Sequence, residues 1–249
     1  MFLELQSNVQ SLWLTVLLLS WAVFLFGGFL FGKINADQTH RMRTWTRMAS
    51  SVVLVVAGWS WAVFMRETPV ATYALLVAVG MSFGFLGDLF MAGLLPLKDY
   101  VLGGIGSFGI GHIFYIITFV GFGGQQGLDE PGARWGALAL WLLVGLLGWY
   151  IVVFRGQQAT FLHYAALPYA LLLASTAGFA TGLVLQAGGF APLALGAALF
   201  LLSDLILAAQ LFNNLRFRYI GDIVWLTYGP AQMLIVFSVY TALLVTRAG

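Results

Sequence analysis

Two aspartates stand where an ionised side chain is expensive. Gly87-Asp88-Leu89-Phe90 lies near the end of one apolar run and Ser203-Asp204-Leu205-Ile206 near the end of another. A carboxylate among Phe, Leu, Ile and Met costs several kcal/mol unless something answers it. Two carboxyl groups sharing a site can divide the work of acid–base catalysis, one holding a proton while the other stays ionised as base or counter-charge. Further polar groups interrupt the same apolar stretches. His112 and Tyr115 share a helical face at a spacing of three, Tyr228 and Gln232 at a spacing of four, Tyr169 follows His163, Ser203 precedes Asp204, and Asp222 opens the last run. We take Asp88 and Asp204 as the catalytic pair and His112, Tyr115, Tyr169, Ser203, Tyr228, Gln232, Asp222 and His163 as groups that orient them or bind substrate. Structural roles stand beside these readings: helix capping for the aspartates, a bridging core histidine for His112, and solvated or capping positions for Asp222 and His163.

Other chemistries lack their signatures. The chain has no Cys, which excludes disulfides, thiolate metal sites and cysteine nucleophiles. Asp88, His112, His163 and Asp204 are ligands of a kind zinc accepts, but no His-x-x-x-His or Glu-x-x-His pair exists, so each would have to come from a separate helix. A metal site on these residues is the less favoured reading. No Gly-x-Ser-x-Gly elbow or phosphate-cradling Gly-rich loop is present, and Ser107 in Gly106-Ser107-Phe108-Gly109 reads as a packing residue. A net charge of +2, scattered along the chain, argues against a nucleic-acid partner. Asp37, Asp99, Asp129 and Glu130 read as loop charges.

The elements that must position these groups follow from composition. Of 249 residues 61% are hydrophobic and 8% charged, against about 25% charged in a soluble domain. The chain is expected to be an all-α polytopic membrane protein, a single integral domain over residues 1–249. Its eight apolar runs are long enough to span: 12–31, 48–65, 70–92, 100–122, 135–154, 164–185, 191–211 and 223–245. The first lacks a basic leader, Glu4 being the only charge before it, and exceeds a signal-peptide core, so it is expected to remain as the first helix. Pro and Gly punctuate the connections at Thr68-Pro69, Leu95-Pro96, Glu130-Pro131-Gly132 and Gly188-Gly189.

Lys33, Arg41, Arg43, Arg47, Lys98, Arg155, Arg216 and Arg218 fall in the connections after helices 1, 3, 5 and 7, whereas Arg66, Arg134 and Arg247 fall on the other side. The positive-inside rule then predicts cytoplasmic basic connections and both termini outside, in what is expected to be a bacterial inner membrane. Trp13, Trp45, Trp135 and Trp225 fall near interfaces, as anchoring aromatics do. No Lys or Arg lies inside any predicted span, so the carboxylates must be answered by His112, by Tyr or Gln donors, by water, by a metal or by protons.

With that topology Asp88 lies roughly 6 Å and Asp204 roughly 10 Å from the cytoplasmic ends of their helices at 1.5 Å per residue, with His112 roughly 18 Å in. The polar groups share a half-membrane. Gly103, Ser107 and Gly111 form a small-residue seam beside the His112 and Tyr115 face, which would let a neighbouring helix hold His112 against a carboxylate. A faint repeat aligns 85–92 with 201–208, an offset of 116 residues that carries Asp88 onto Asp204 and His112 onto Tyr228. Spanning four helices, it would be a parallel 4+4 duplication.

In order, Gly87-Asp88-Leu89-Phe90, Gly111-His112-Ile113-Phe114-Tyr115, Pro168-Tyr169, Phe200-Leu201-Leu202-Ser203-Asp204 and Tyr228-Gly229-Pro230-Ala231-Gln232, set on eight helices, resemble the YhhN or lysoplasmalogenase-like family of multi-pass membrane proteins. The resemblance runs from the third helix onward. It implies a lipid hydrolase that cleaves the vinyl ether bond of a lysophospholipid, releasing a fatty aldehyde and a glycerophosphoethanolamine or glycerophosphocholine, without a cofactor. Two carboxyl groups suit that chemistry, because protonating the alkenyl carbon creates an oxocarbenium ion that water must then meet. Asp204, the deeper, is favoured as the acid and Asp88 as the base. Arg216 or Arg218 would meet the lipid phosphate, and membrane lipid is the expected surrounding partner. A proton-coupled lipid or small-molecule transporter and a metal-dependent amidase or esterase are the alternatives.

Overall fold

A computed structural model describes residues 7–96 and 98–248; Glu4 lies outside them. The described residues form helices and connections only, and eight helices are long and apolar enough to cross a membrane. We number them α1 (Asn8–Leu30), α2 (Thr44–Phe64), α3 (Ala71–Met91), α4 (Tyr100–Gln125), α5 (Pro131–Phe154), α6 (Phe161–Gln186), α7 (Gly188–Asn213) and α8 (Ile220–Ala248). The expected all-α, eight-span architecture is therefore present. Most ends shift by a few residues, because polar caps extend helices past their apolar runs. Asp99 accepts the Leu102 amide at the start of α4, Glu130 accepts those of Gly132 and Ala133 ahead of α5, and Thr160 with His163 forms a capping box on α6.

One shift matters for function. α2 begins at Thr44, four residues before its apolar run, so Arg47 belongs to a spanning helix and not to a connection. The expectation that no cation lies within a span fails here, since an arginine within a turn of a helix end can keep its head at the polar boundary while its stem lies along apolar surface.

Consecutive helices pair most extensively as α3 with α4, α5 with α6 and α7 with α8, while α4 also packs on α6 and α8 on both α2 and α3. α4 and α8 are the most enclosed, with half of their most apolar windows buried against 22% for α1 and α5, which therefore lie outermost. Where α3 meets α4, Gly80 takes the Tyr115 ring against its backbone; where α7 meets α8, Gly196 takes Ala231. Both members of that contact are displaced by the same 116 residues that relate Asp88 to Asp204. Away from the aspartates the core is closed by aromatics, including Trp61, Phe119 and Phe190, and by a Tyr73 to Ser238 hydrogen bond of 2.8 Å joining α3 to α8.

Candidate functional site

α3 carries Asp88 about one turn before its end, on a face made of Gly80, Gly84 and Gly87. These glycines are slots. A Cβ at Gly80 would stand 2.4 Å from the Tyr115 ring, one at Gly84 2.5 Å from the Gln232 amide, and one at Gly87 2.7 Å from the Phe108 ring. Side chains of α4 and α8 thereby reach the backbone of α3 and converge on its aspartate. The Tyr115 hydroxyl donates to Gln232 Oε1 at 2.9 Å, and Gln232 Nε2 donates to the Tyr228 hydroxyl at 3.2 Å. Tyr228 in turn faces Asp88, and from α2 the Ser51 hydroxyl donates to Asp88 Oδ2 at 2.5 Å. Every donor in this run points toward Asp88, which accepts from two sides and is itself buried.

Asp88 lines a cavity of about 840 Å³, its open mouth included, at the end of the bundle where the connections after α1, α3, α5 and α7 gather. Thr39, His40, Arg47, Gln210, Trp225 and Tyr228 supply its polar and aromatic wall. The α1–α2 connection folds across the mouth and is fastened to the start of α8. Tyr219 and Gly221 donate their amides to the carbonyls of Gln38 and Thr39 at 2.9 Å, while Asp222 accepts the amides of Arg41 at 2.6 Å and Met42 at 3.0 Å. Gln38 and Tyr219 adopt left-handed backbone conformations at this junction, with φ of 56° and 67°. Such conformations are uncommon without glycine and persist where surrounding bonds enforce them. Burial, followed by the charge of Arg47, holds His40 below the ordinary histidine value.

Asp204 faces a different space. Its cavity, about 650 Å³ with its open side included, is walled by α4 to α7 through Val101, Ile105, Trp149, Val153, Leu173 and Phe212, among other apolar residues. The Tyr169 hydroxyl makes a short hydrogen bond to Asp204 Oδ2, the one protein hydrogen bond of that carboxylate among the described residues. Met91, Phe108 and Leu207 line both cavities and form the partition between them. Phe108 is fixed edge-on by Phe200 at 6.2 Å and Tyr228 at 5.9 Å between ring centroids. The two carboxylates are close enough to feel one another's charge across this wall. They occupy adjoining polar and apolar compartments, and not the one shared site expected of the pair.

Of the other candidates, Tyr115, Tyr169, Tyr228 and Gln232 lie beside the aspartates, as above. His112 does not meet a carboxylate. Its Nδ1 pairs with Thr176 Oγ1 at 2.9 Å, and because the Thr176 proton goes to the Leu172 carbonyl, His112 is the donor and its Nε2 is left a bare, buried acceptor. The ring stands 4.5 Å from Phe200 and 6.3 Å from Tyr169, behind the partition. The seam brings a helix close at Gly111, which packs on the Gly80 carbonyl of α3, but it delivers His112 to no carboxylate. Three expected substrate contacts are instead structural. Asp222 is the fastener of the α1–α2 connection, Ser203 donates to the Val224 carbonyl at 3.1 Å to join α7 to α8, and His163 completes the α6 capping box against Phe212. Asp222 and Ser203 spend their polar atoms on backbone, and His163 spends Nδ1 on its cap while its Nε2 is buried without a partner. Among the described residues no three His, Asp or Glu side chains gather as metal ligands would. Arg216 does not line the Asp88 cavity but a surface pocket next to it, with Asp37, that shares Thr39 and Gln210 with that cavity, and Arg218 lies over Tyr219.

Ser51, Arg47, Phe108 and the α3 glycines were not singled out by sequence. A lone serine in an apolar helix carries no signature, and Arg47 was assigned to a connection. The spacing of Gly80, Gly84 and Gly87 leading into Asp88 was the available signal.

No curated protein and no solved structure matches the chain. The family model that matches is that of the YhhN family, over residues 42–239. That stretch, about four-fifths of the sequence, runs from just before α2 into α8 and contains Arg47, Ser51, both aspartates and the tyrosines around them. The chain belongs to the YhhN family, the family of lysoplasmalogenase-like membrane proteins.

Proposed function

We propose that the protein is an intramembrane hydrolase that cleaves the vinyl ether bond of a single-chain ether phospholipid. The observation that carries this reading is the pair of carboxylates on either side of one thin partition, one in an apolar compartment and one in a polar compartment. An amphiphile laid across Phe108 would put its chain beside Asp204 and its glycerol beside Asp88. A proton delivered to the outer alkenyl carbon converts R–CH=CH–O–R′ into an oxocarbenium ion. Water adds to the carbon beside oxygen and loses a proton, and the hemiacetal collapses to R–CH₂–CHO and HO–R′. Asp204, with one oxygen engaged by Tyr169 and the apolar cavity before it, serves as the acid. Asp88, which accepts from Ser51 and faces Tyr228, opposes the cation and takes the proton from water. The basic end, carrying the polar mouth, faces the cytoplasm by the distribution of Lys and Arg.

The test is turnover by purified, detergent-solubilised protein. Aldehyde and glycerophospho-alcohol are expected in equal amounts from a lysoplasmalogen. Asp88→Asn and Asp204→Asn should each lower the rate about 10²- to 10⁴-fold, the range for a lost general acid or base, with melting temperature retained. Undiminished turnover in both variants would end the proposal.

The common offset that relates the Gly80–Tyr115 and Gly196–Ala231 contacts favours one second reading, a proton-coupled transporter built as a parallel repeat. Uptake of labelled lipid into sealed vesicles that follows a pH gradient, with no new product formed, would select it.

A further inference from the structure

We infer that Arg47 is the phosphate anchor of this site: the polar cavity takes the phosphate ester of a single-chain lipid on the Arg47 guanidinium, and that contact selects which lipids occupy the apolar cavity. The inference rests on the reading that one lipid bridges the two compartments.

Arg47 is the cation in the wall of the Asp88 cavity, since His40, the other basic side chain there, is held toward its neutral form. It sits one turn before Ser51 on α2, so the helix that supplies a hydrogen bond to Asp88 also supplies this charge. Its donors are almost unused. Nε is buried without a partner, and among the described residues the one hydrogen bond of the guanidinium is a 3.5 Å contact to the Thr44 hydroxyl. Trp225 supports it from the side, with the ring centroid 5.7 Å from the guanidinium carbon.

Among the described residues no carboxylate forms a salt bridge with it, although the charges of Asp222 and Asp88 act on it. The ion pair among the described residues is Arg66 with Glu67, on the surface. Asp222, on the neighbouring helix end, has committed both oxygens to the Arg41 and Met42 amides, and Asp88 is engaged by Ser51 and Tyr228. A half-enclosed guanidinium with free N–H groups calls for an anion from outside. Its planar fork matches phosphate oxygens. On the same wall Gln210, and the one donor left over by the Thr39–His40 hydrogen bond of 3.2 Å, offer groups for further acceptor oxygens. The like charge of Asp88 places the anion toward the mouth, with a neutral glycerol between the two.

The experiment measures equilibrium binding to the full-length protein in detergent, using probes that cannot be hydrolysed: a saturated 1-alkyl-glycerophosphoethanolamine, the 1-alkylglycerol without phosphate, sn-glycerol 3-phosphate and a saturated fatty acid. Wild type should bind the phosphate-bearing lipid about tenfold or more tightly than the alkylglycerol, the scale of a charge-assisted hydrogen bond. Arg47→Gln should erase that preference by weakening the phosphate lipid alone, and Arg47→Lys should restore part of it. Unchanged affinity for the alkylglycerol shows that the variant cavity is intact. Displacement of the lipid by glycerol phosphate in wild type assigns the site to soluble phosphate esters as well, whereas no displacement assigns it to chain-borne phosphate. The inference is overturned if Arg47→Gln keeps the preference, or if the fatty acid binds as tightly as the phosphate lipid with equal dependence on Arg47. A protein that discriminates in this way yet releases no aldehyde would refute the hydrolase reading and leave the anchor standing.

Discussion

Asp88 on α3 and Asp204 on α7, 116 residues apart, stand in unlike surroundings. Asp88 is buried beneath a polar cavity and sits at the end of a hydrogen-bonded run from Tyr115 through Gln232 and Tyr228, with Ser51 on its other side and Arg47 on the same wall. Asp204 faces an apolar cavity with a single hydroxyl, that of Tyr169. Dense hydrogen bonding holds a carboxylate in one orientation, whereas a sparse apolar setting leaves an oxygen free to meet a guest. Two residues of one type are thus held in unlike settings by the helices that pack on them.

The contrast is broken most forcefully at the tyrosines. Tyr169→Phe removes the one protein partner of Asp204, so we expect a fall in kcat of about 10- to 100-fold, the range for a lost hydrogen bond to a charged or ionisable group. Tyr228→Phe leaves Ser51 on Asp88, and its effect should stay at about tenfold or less. Steady-state kinetics on both variants, with aldehyde as the readout, checks the order. Equal losses would mean that the compartments are not functionally distinct.

A smaller effect is expected at the partition. Phe108→Leu trims the wall shared by the two cavities while keeping it apolar. It should shift the preferred chain length and raise KM several-fold, with kcat little changed, in a panel of chain lengths. An unchanged chain-length profile would remove Phe108 from the boundary.

The smallest effect concerns the polar mouth. His40 is held below its ordinary value of about 6.5, so the unfolded chain takes up a proton before the folded one does as pH falls. Stability should therefore decline as pH drops below about 6.5, and His40→Gln should flatten that decline in thermal melts between pH 7.5 and 5.5. A decline identical in the two proteins would show that His40 is not the group responsible.

The eight spans and the two aspartates were legible because hydropathy and an acid in an apolar run are local signals. So were Tyr115, Tyr169, Tyr228 and Gln232, as polar groups on helical faces. What stayed hidden depends on contacts between distant segments. Asp222 reads like a pocket acid, yet its oxygens are consumed by amides about 180 residues earlier in the chain. His163 reads like a ligand at a helix mouth, and the fold uses it as a cap. Arg47 is obscured for the opposite reason: its charge makes the apolar run look shorter than the helix, so a cation in the wall of the Asp88 cavity reads as part of a connection. The compartments themselves arise from Phe108 lying on Gly87, a contact that the spacing of neither residue announces.

The most direct measurement is an experimental structure of the protein with a saturated 1-alkyl-glycerophosphoethanolamine bound. The alkyl chain should lie beside Asp204 and Tyr169, the phosphate at Arg47, and the ether oxygen at the Phe108 partition between the two carboxylates. A lipid confined to one compartment, with either aspartate out of its reach, would contradict the account.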